Sequence, residues 1–315
     1  VTRFLARRTA MLVATMLVAS FAIYGALYVS PGSPLSALTG NRPLPPEAKA
    51  QLEARYHLNE PFLVRYWHWL VSALHGDLGE SIPLHENVST LIGQRVGVTA
   101  GLVLLTSVII VIAGVGLGIL GALGKGLVDN GVLLASTVSA ALPSFAAAVV
   151  LQFVVAVKLG WLPALGTGHG FADSLRHLLL PALALAATSV ALVTRVTRAA
   201  VREETGREHV QTAVSRGLPW PSVVRRHVLR NAAIPITTVV GITIASLIAL
   251  SAVVETAFGL NGLGAYLVQA AQNKDVAVVQ GISLVLVLAF VLTNMLVDIA
   301  YAVLDPRLTL GGRAA

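Results

Sequence analysis

The chain has 315 residues, 56% of them hydrophobic and only 12% charged, with a mean hydropathy of +0.79, which excludes a soluble globular domain. It contains no cysteine, so a disulfide framework, a thiolate metal site and a cysteine nucleophile are excluded as well. The formal charge of +7 raises nucleic-acid binding, a question that only its distribution along the chain decides.

Six apolar runs, residues 9–29, 98–123, 132–157, 178–194, 233–254 and 281–297, are long enough, or nearly so, to cross a membrane. A ~30 Å hydrocarbon core takes roughly 20 helical residues. The fourth run reaches that length by continuing through Val196 while Arg195 snorkels. None of the six contains Asp, Glu, Lys or Arg. With the N-terminus inside, the inner loops hold Arg3, Arg7, Arg8, Lys125, the arginines from Arg195 to Arg230, Arg307 and Arg313, fourteen of the 22 basic residues. That bias predicts cytoplasmic termini and a cytoplasmic arginine-rich stretch. The high charge then reflects topology and contact with anionic lipid, not nucleic acid.

Three arginines before the first run would suit a signal peptide, but no small-x-small cleavage site follows clearly, and a retained span is expected. Residues 31–96 form the one sizeable polar region, expected outside. Pro45-Pro46 opens a predicted helix through Tyr56 and Pro61 another through Leu74. On the second, Phe62, Tyr66, Trp69 and Ala73 share a face that either packs the region onto the membrane or itself, or meets a solute or its carrier. His57, His68, His75 and His85 have no compact ligand spacing, so no metal is assigned. Asn87-Val88-Ser89 is a chance glycosylation sequon.

Gly97-x3-Gly101 and Gly114-x3-Gly118 give the second span small-residue faces for close packing. Gly124-Lys125-Gly126 fails as a phosphate loop, because Ile119 and Gly126 stand where Gly and Ser/Thr are required. Leu142-Pro143-Ser144-Phe145 interrupts the third span, as a packing kink or as a hinge beside a path. Pro143, Ser144, Gln152, Thr188 and Ser189 are the candidate path residues, with Ser136, Thr137 and Thr243 the other polar groups at membrane depth. Hydroxyls inside helices commonly bond their own backbone instead.

Residues 195–231 read as a helix, a break and a second helix: Gly217 suits a left-handed cap, and Pro219 and Pro221 cannot continue the first helix. A solvated basic loop, a DNA-binding helix-turn-helix and a docking element for a cytoplasmic partner are the competing readings. After the fifth span comes Glu255-Thr256-Ala257-Phe258-Gly259-Leu260-Asn261-Gly262-Leu263-Gly264, a short outer segment by position. The last span ends on Asn294-x-x-Val297-Asp298-x-x-Tyr301-x-x-x-Asp305-Pro306-Arg307, with Asn294 and Asp298 one turn apart as an expected polar helix contact.

The spacing of Gln211-Thr212-Ala213, Gly217 and His227-Val228-Leu229-Arg230 resembles the signature loop of ABC-transporter membrane subunits. Only Ala213, Gly217 and Leu229 match its general pattern literally. The form seen here, Arg-His-x-Leu-Arg-Asn followed by Pro235, resembles the dipeptide/oligopeptide (nickel) permease branch. Leu58-Asn59-Glu60-Pro61-Phe62, Tyr66-x-x-Trp69-Leu70 and Gly76-Asp77-Leu78-Gly79-x-Ser81 resemble its B-type subunit, as do the segments at Glu255 and Asn294.

That resemblance implies an all-α polytopic membrane protein of about six transmembrane helices with the type I importer permease fold and an extracytoplasmic helical insert. The expected division is a cytoplasmic N-terminus and first span (1–30), the insert (31–96), a five-helix core (97–307) containing the coupling loop 195–231, and a tail (308–315). The implied partners are a second permease subunit, one or two cytoplasmic ATPases carrying ATP and Mg, an extracytoplasmic solute-binding protein and membrane lipid. Coupling contact falls to Gln211, Thr212, Ala213, Ser215, Arg216, Gly217 and Leu229. The cargo implied is peptide, with nickel, glutathione-like or haem-related solutes as alternatives, and a passive channel or membrane scaffold as the other class. No catalytic, cofactor or metal site is assigned to the chain itself, and acids or histidines for a proton relay are expected to be missing from the spans.

Overall fold

The computed structural model describes residues 2–29, 60–81 and 83–304. Helix α1 covers Thr2–Val29, α2 Phe62–Leu74, and a two-residue hairpin pairs β1 (Glu80–Ser81) with β2 (Glu86–Asn87) antiparallel, Glu80 opposite Asn87. Next in the chain are α3 (Val88–Leu123), α4 (Leu127–Ala141), α5 (Ser144–Lys158), α6 (Phe171–Thr205), α7 (Glu208–Ser215), α8 (Trp220–Ala257), α9 (Leu263–Gln272) and α10 (Val276–Leu304). The expected helix over residues 45–56, Leu58-Asn59, Asp305-Pro306-Arg307 and the Asp298 side chain lie outside the described residues.

Five helices (α1, α3, α6, α8 and α10) are long and apolar enough to cross a membrane, and a sixth span exists if α4 and α5 count as one. The spans outrun their apolar cores. Helix α3 begins ten residues before the second run because Val88, Leu91 and Ile92 bury against Leu263, Tyr266, Val278 and Ile282. Helix α6 is the most enclosed of the spans and α1 the least. Around α6 pack α3, α4, α5 and α8, with Leu180, Leu185 and Val193 buried among Leu102, Ile110, Leu247 and Phe258. Gly114 and Gly118 permit this approach: a Cβ on Gly114 would lie 2.9 Å from Val193, and one on Gly118 would collide with Thr197. Gly97, by contrast, has open space beside it, so the first glycine pair does not serve as a shared packing face.

The third apolar run is not one straight span. Helices α4 and α5 differ in direction by 101° at Leu142-Pro143. Proline lacks an N–H and pushes its predecessor out of the helical region, and Leu142 accordingly sits at φ −92°, ψ 113°. The broken backbone is satisfied sideways, by α6. The Thr188 hydroxyl donates to the Leu142 carbonyl (3.0 Å) and the Ser139 hydroxyl donates to the Ala187 carbonyl (2.7 Å).

Helix α1 packs against α10 and carries α2 across its far end. The predicted aromatic face of α2 meets α1: Phe62 and Tyr66 pack edge-on against Phe21, Trp69 lies 5.5 Å from Tyr24, and Tyr66 shares a 2.8 Å hydrogen bond with Ser20. Of the two readings of that face, internal packing is what the structure contains.

Candidate functional site at the arginine-rich end

Helix α7 and the start of α8 form a short helical elbow between α6 and α8. The elbow turns at Gly217, which adopts φ +78°, a conformation that costs an L side chain and not glycine. The Gly217 N–H donates to the Val214 carbonyl (2.9 Å) and the Leu218 N–H to the Ala213 carbonyl (3.3 Å), the paired bonds of a Schellman cap. Pro219 then supplies an extended residue and the carbonyl that starts α8, accepting from Ser222 and Val223.

The underside of this elbow is apolar. Val210 and Ala213 of α7 are buried with Val201 of α6 and Val223, Val228, Ala232 and Ile236 of α8. A π turn over Val224–Val228 gives the five-residue step that keeps Val223 and Val228 on one face. A regular α-helical spacing, which would put Val224 on one stripe with Val228 and Ala232, misses that extra residue. Val223 is the one fully buried, and Val224 is only half-buried.

The outer face is exposed and continuous. Gln211, Thr212, Ser215, Arg216 and Gly217 all lie on it, and so do Val214, Leu218 and Trp220, each 42–47% exposed. Five of the seven expected coupling residues are therefore exposed. Ala213 seats the helix from below instead, and Leu229 is half-buried against the same apolar underside. Sequence reasoning misses Val214, Leu218 and Trp220; the signal for them is an apolar residue on the polar side of the turn.

Several arginines of this stretch are committed to the fold. Arg198 grips Asp129 at the start of α4 through two bonds (Nε to Oδ1, 2.6 Å; an η nitrogen to Oδ2, 2.9 Å), and Arg202 adds a third to Oδ2 (2.6 Å). Arg195 donates to Thr137 Oγ1 at 3.2 Å. These bonds carry α6 helically through residue 205, eleven residues past the apolar run.

The candidate path residues are not gathered into one group. Ser144 follows the break, Thr188 spans it, and Ser189 is buried on α6. The Gln152 amide donates to the carbonyls of Ala164 (3.1 Å) and Ala257 (3.0 Å), tying α5 to the end of α8. Ser136 and Thr137 bond the Leu133 carbonyl and Thr243 the Val239 carbonyl, within their own helices. Among the described residues no group of three or more His, Asp or Glu could hold a metal ion.

The opposite end holds a group whose partners the sequence does not show. Glu255 belongs to the last turn of α8, not to a loop, and is fully buried. Thr99 Oγ1 donates to its Oε1 (2.8 Å), the Ala265 N–H donates to Oε2 (2.9 Å), and the Leu263 N–H donates to Thr99 Oγ1 (2.8 Å). The carboxylate thus caps α9 from another helix, where the helix dipole favours negative charge. The bare Gly262 leaves room for it. An acid is therefore buried in a span after all, at its end. Nearby, the Arg95 guanidinium lies 3.9 Å from the Tyr266 ring centroid. Burial raises the Tyr266 phenol above its ordinary value, while Arg95 works in the lowering direction.

Comparison with known proteins places the whole arrangement. The family described as binding-protein-dependent transport system inner membrane component matches residues 114–310, and its N-terminal companion matches residues 1–103. A probable peptide ABC transporter permease of Sinorhizobium fredii is 32% identical over 313 residues, covering 97% of this chain and 98% of the relative. A putative peptide transport system permease of Brucella abortus is 35% identical (97% and 98%), and the oligopeptide transport system permease OppB of Escherichia coli is 32% identical (97% and 99%). In fold, the chain is similar to a chain of the inward-facing MetNI methionine ABC transporter, with TM-score 0.53, 18% identity, and coverage of 68% of this chain and 96% of that one.

Proposed function

Because this chain belongs to the family of binding-protein-dependent transport system inner membrane components, we propose that it is one of two permease subunits of an ATP-driven peptide importer. The family is one of transport permeases and not of enzymes, and the spans make the chain a multi-pass membrane protein. ATP would be bound with Mg and hydrolysed on separate cytoplasmic ATPase subunits, and a solute-binding protein delivers cargo from the other side. Both termini and the arginine-rich end face the cytoplasm, in keeping with the charge bias. Residues 31–96 form the extracytoplasmic insert and residues 97–307 the core. Peptide is the cargo because the relatives at 32–35% identity are named for peptide transport.

One observation carries the docking assignment: the exposed face of Gln211, Thr212, Ser215, Arg216 and Gly217 with Val214, Leu218 and Trp220. The face presents Trp220 and Arg216, residue types enriched in protein interfaces, beside further apolar area. It also sits at the junction of α6 and α8, so a push on it reaches the core directly. ATPase closure would rock these spans between inward- and outward-open states, past the break at Pro143-Ser144 and past Gln152, Thr188 and Ser189.

The test is co-purification from native membranes in mild detergent, with partners identified by mass spectrometry. Recovery of a second multi-span permease and one or two Walker-motif ATPases supports the importer. Recovery of the chain alone, across detergents and with ATP present, overturns it.

A further inference from the structure

Glu204 stands in the last turn of α6, at the end of a helix where the dipole disfavours a carboxylate, and is only 8% exposed. Burying a carboxylate there is costly unless it is hydrogen-bonded and paired. Its partners come from three directions. The Asn231 side-chain amide, from α8 just past its π turn, donates to Oε1 at 2.9 Å. His209 Nε2, from α7, lies 3.1 Å from the same oxygen, and Arg207 Nε, from the α6–α7 link, lies 3.2 Å from Oε2. His209 Nε2 also lies 3.2 Å from Asn231 Nδ2. A single ring nitrogen cannot donate to one and accept from the other, and donation to the ionised carboxylate is the stronger pairing. His227 of α8 completes the cluster, its ring 6.5 Å from that of His209.

The apolar underside of α7 resists separation but lets a helix slide, because dispersion and hydrophobic contact are not directional. The Glu204 bonds are directional, and one carboxylate joins the entry of α7 to the end of α6 and to α8 just past its π turn. We infer that Glu204 is the positioning residue of the coupling elbow: it locks α7 to α6 and α8, so that displacement of α7 moves both spans as one body. This inference rests on the docking assignment above. It does not place Glu204 on the docking face, since Glu204 is buried beneath it.

Glu204→Gln separates this role from simple helix capping. A glutamine keeps the size and still accepts from Asn231, but it loses the charge that holds Arg207 and His209. The experiment uses the assembled complex in lipid nanodiscs, with spin labels at Glu208→Cys on α7 and Leu192→Cys on α6; the native chain contains no cysteine. The α6–α7 distance is read by pulsed electron paramagnetic resonance, without nucleotide and after vanadate trapping with ATP. The parent is expected to give one narrow distance, equal in both states. Glu204→Gln should hydrolyse ATP while its distance shifts by about 2 Å or more between the states. The exposed Glu203 bonds the other face of Arg207 (2.7 Å), and Glu203→Gln, which leaves every Glu204 contact in place, should behave as the parent.

A narrow, state-independent distance in Glu204→Gln overturns the inference. If that variant does not insert, Arg207→Gln with His209→Gln, at exposed positions, removes the same contacts from the other side, and an unchanged distance there overturns it equally. The docking reading fails separately: Leu218→Asp leaves the Glu204 contacts untouched, and undiminished ATPase retention by that variant sinks the docking face whatever Glu204→Gln does.

Discussion

Thr188 and Leu142 are joined by a 3.0 Å hydrogen bond at the midpoint of α6, and that bond holds the break between α4 and α5 against the central helix. In hydrocarbon an unsatisfied carbonyl has no water to turn to. Thr188→Val keeps the shape and removes the donor. It should lower stability by about 1–2 kcal/mol, read as a lower midpoint of thermal unfolding in detergent. Thr188→Ser should retain most of it. With Ser139→Ala added, the two losses should be less than additive if both bonds brace one break.

The contact of α3 with α6 gives a second expectation. Gly118→Leu places a side chain where Thr197 already sits. Overpacking should cost about 1–3 kcal/mol or more and show as aggregation on size-exclusion chromatography. Gly97→Leu, in open space, should be close to neutral by the same measure.

Glu255 is a fully buried carboxylate held by two other helices, at the end away from the arginine-rich stretch. Glu255→Ala leaves the Ala265 N–H and the Thr99 hydroxyl without their acceptor, and should destabilise by about 3 kcal/mol, read by thermal unfolding. Glu255→Gln retains one acceptor oxygen and should lose less. Equal losses in the two variants would mean that packing, not the α9 cap, explains the burial.

Trp220→Ala tests the docking face through its largest apolar group. The ring is 47% exposed, so the fold should lose little. ATPase binding should weaken by about 1.4–2.7 kcal/mol, roughly ten- to a hundred-fold, in a titration of ATPase onto the nanodisc-held permease.

Much of this architecture is legible in the sequence, because uncharged apolar runs and flanking arginines are direct consequences of the solvent a span must cross. Pro143 announces the break, and Gly217 announces the cap. What the sequence does not announce depends on partners far along the chain. The 101° turn is set with help from Ser139 and Thr188, bonds that link residues 48 and 46 positions apart. Helix α6 continues past its apolar run because Asp129 neutralises Arg198 and Arg202. Glu255 looks like a loop acid because the groups that donate to it, Thr99 and Ala265, lie on two other helices. Leu229 matches a docking motif by spacing, yet the π turn at Val224–Val228 rotates the start of the regular helix beyond it, and the side chain packs against the underside.

The packing of α1 against α10 joins two spans far apart in the sequence, and this bears on how the protein is made. A ribosome adding about 5–20 residues per second takes on the order of tens of seconds to travel from α1 to α10. During that interval α1 already has α2 to hold, through Phe62, Tyr66 and Trp69. The aromatic clasp is therefore a temporary mooring as well as a finished contact: it holds α1 until α10 emerges to pack against it.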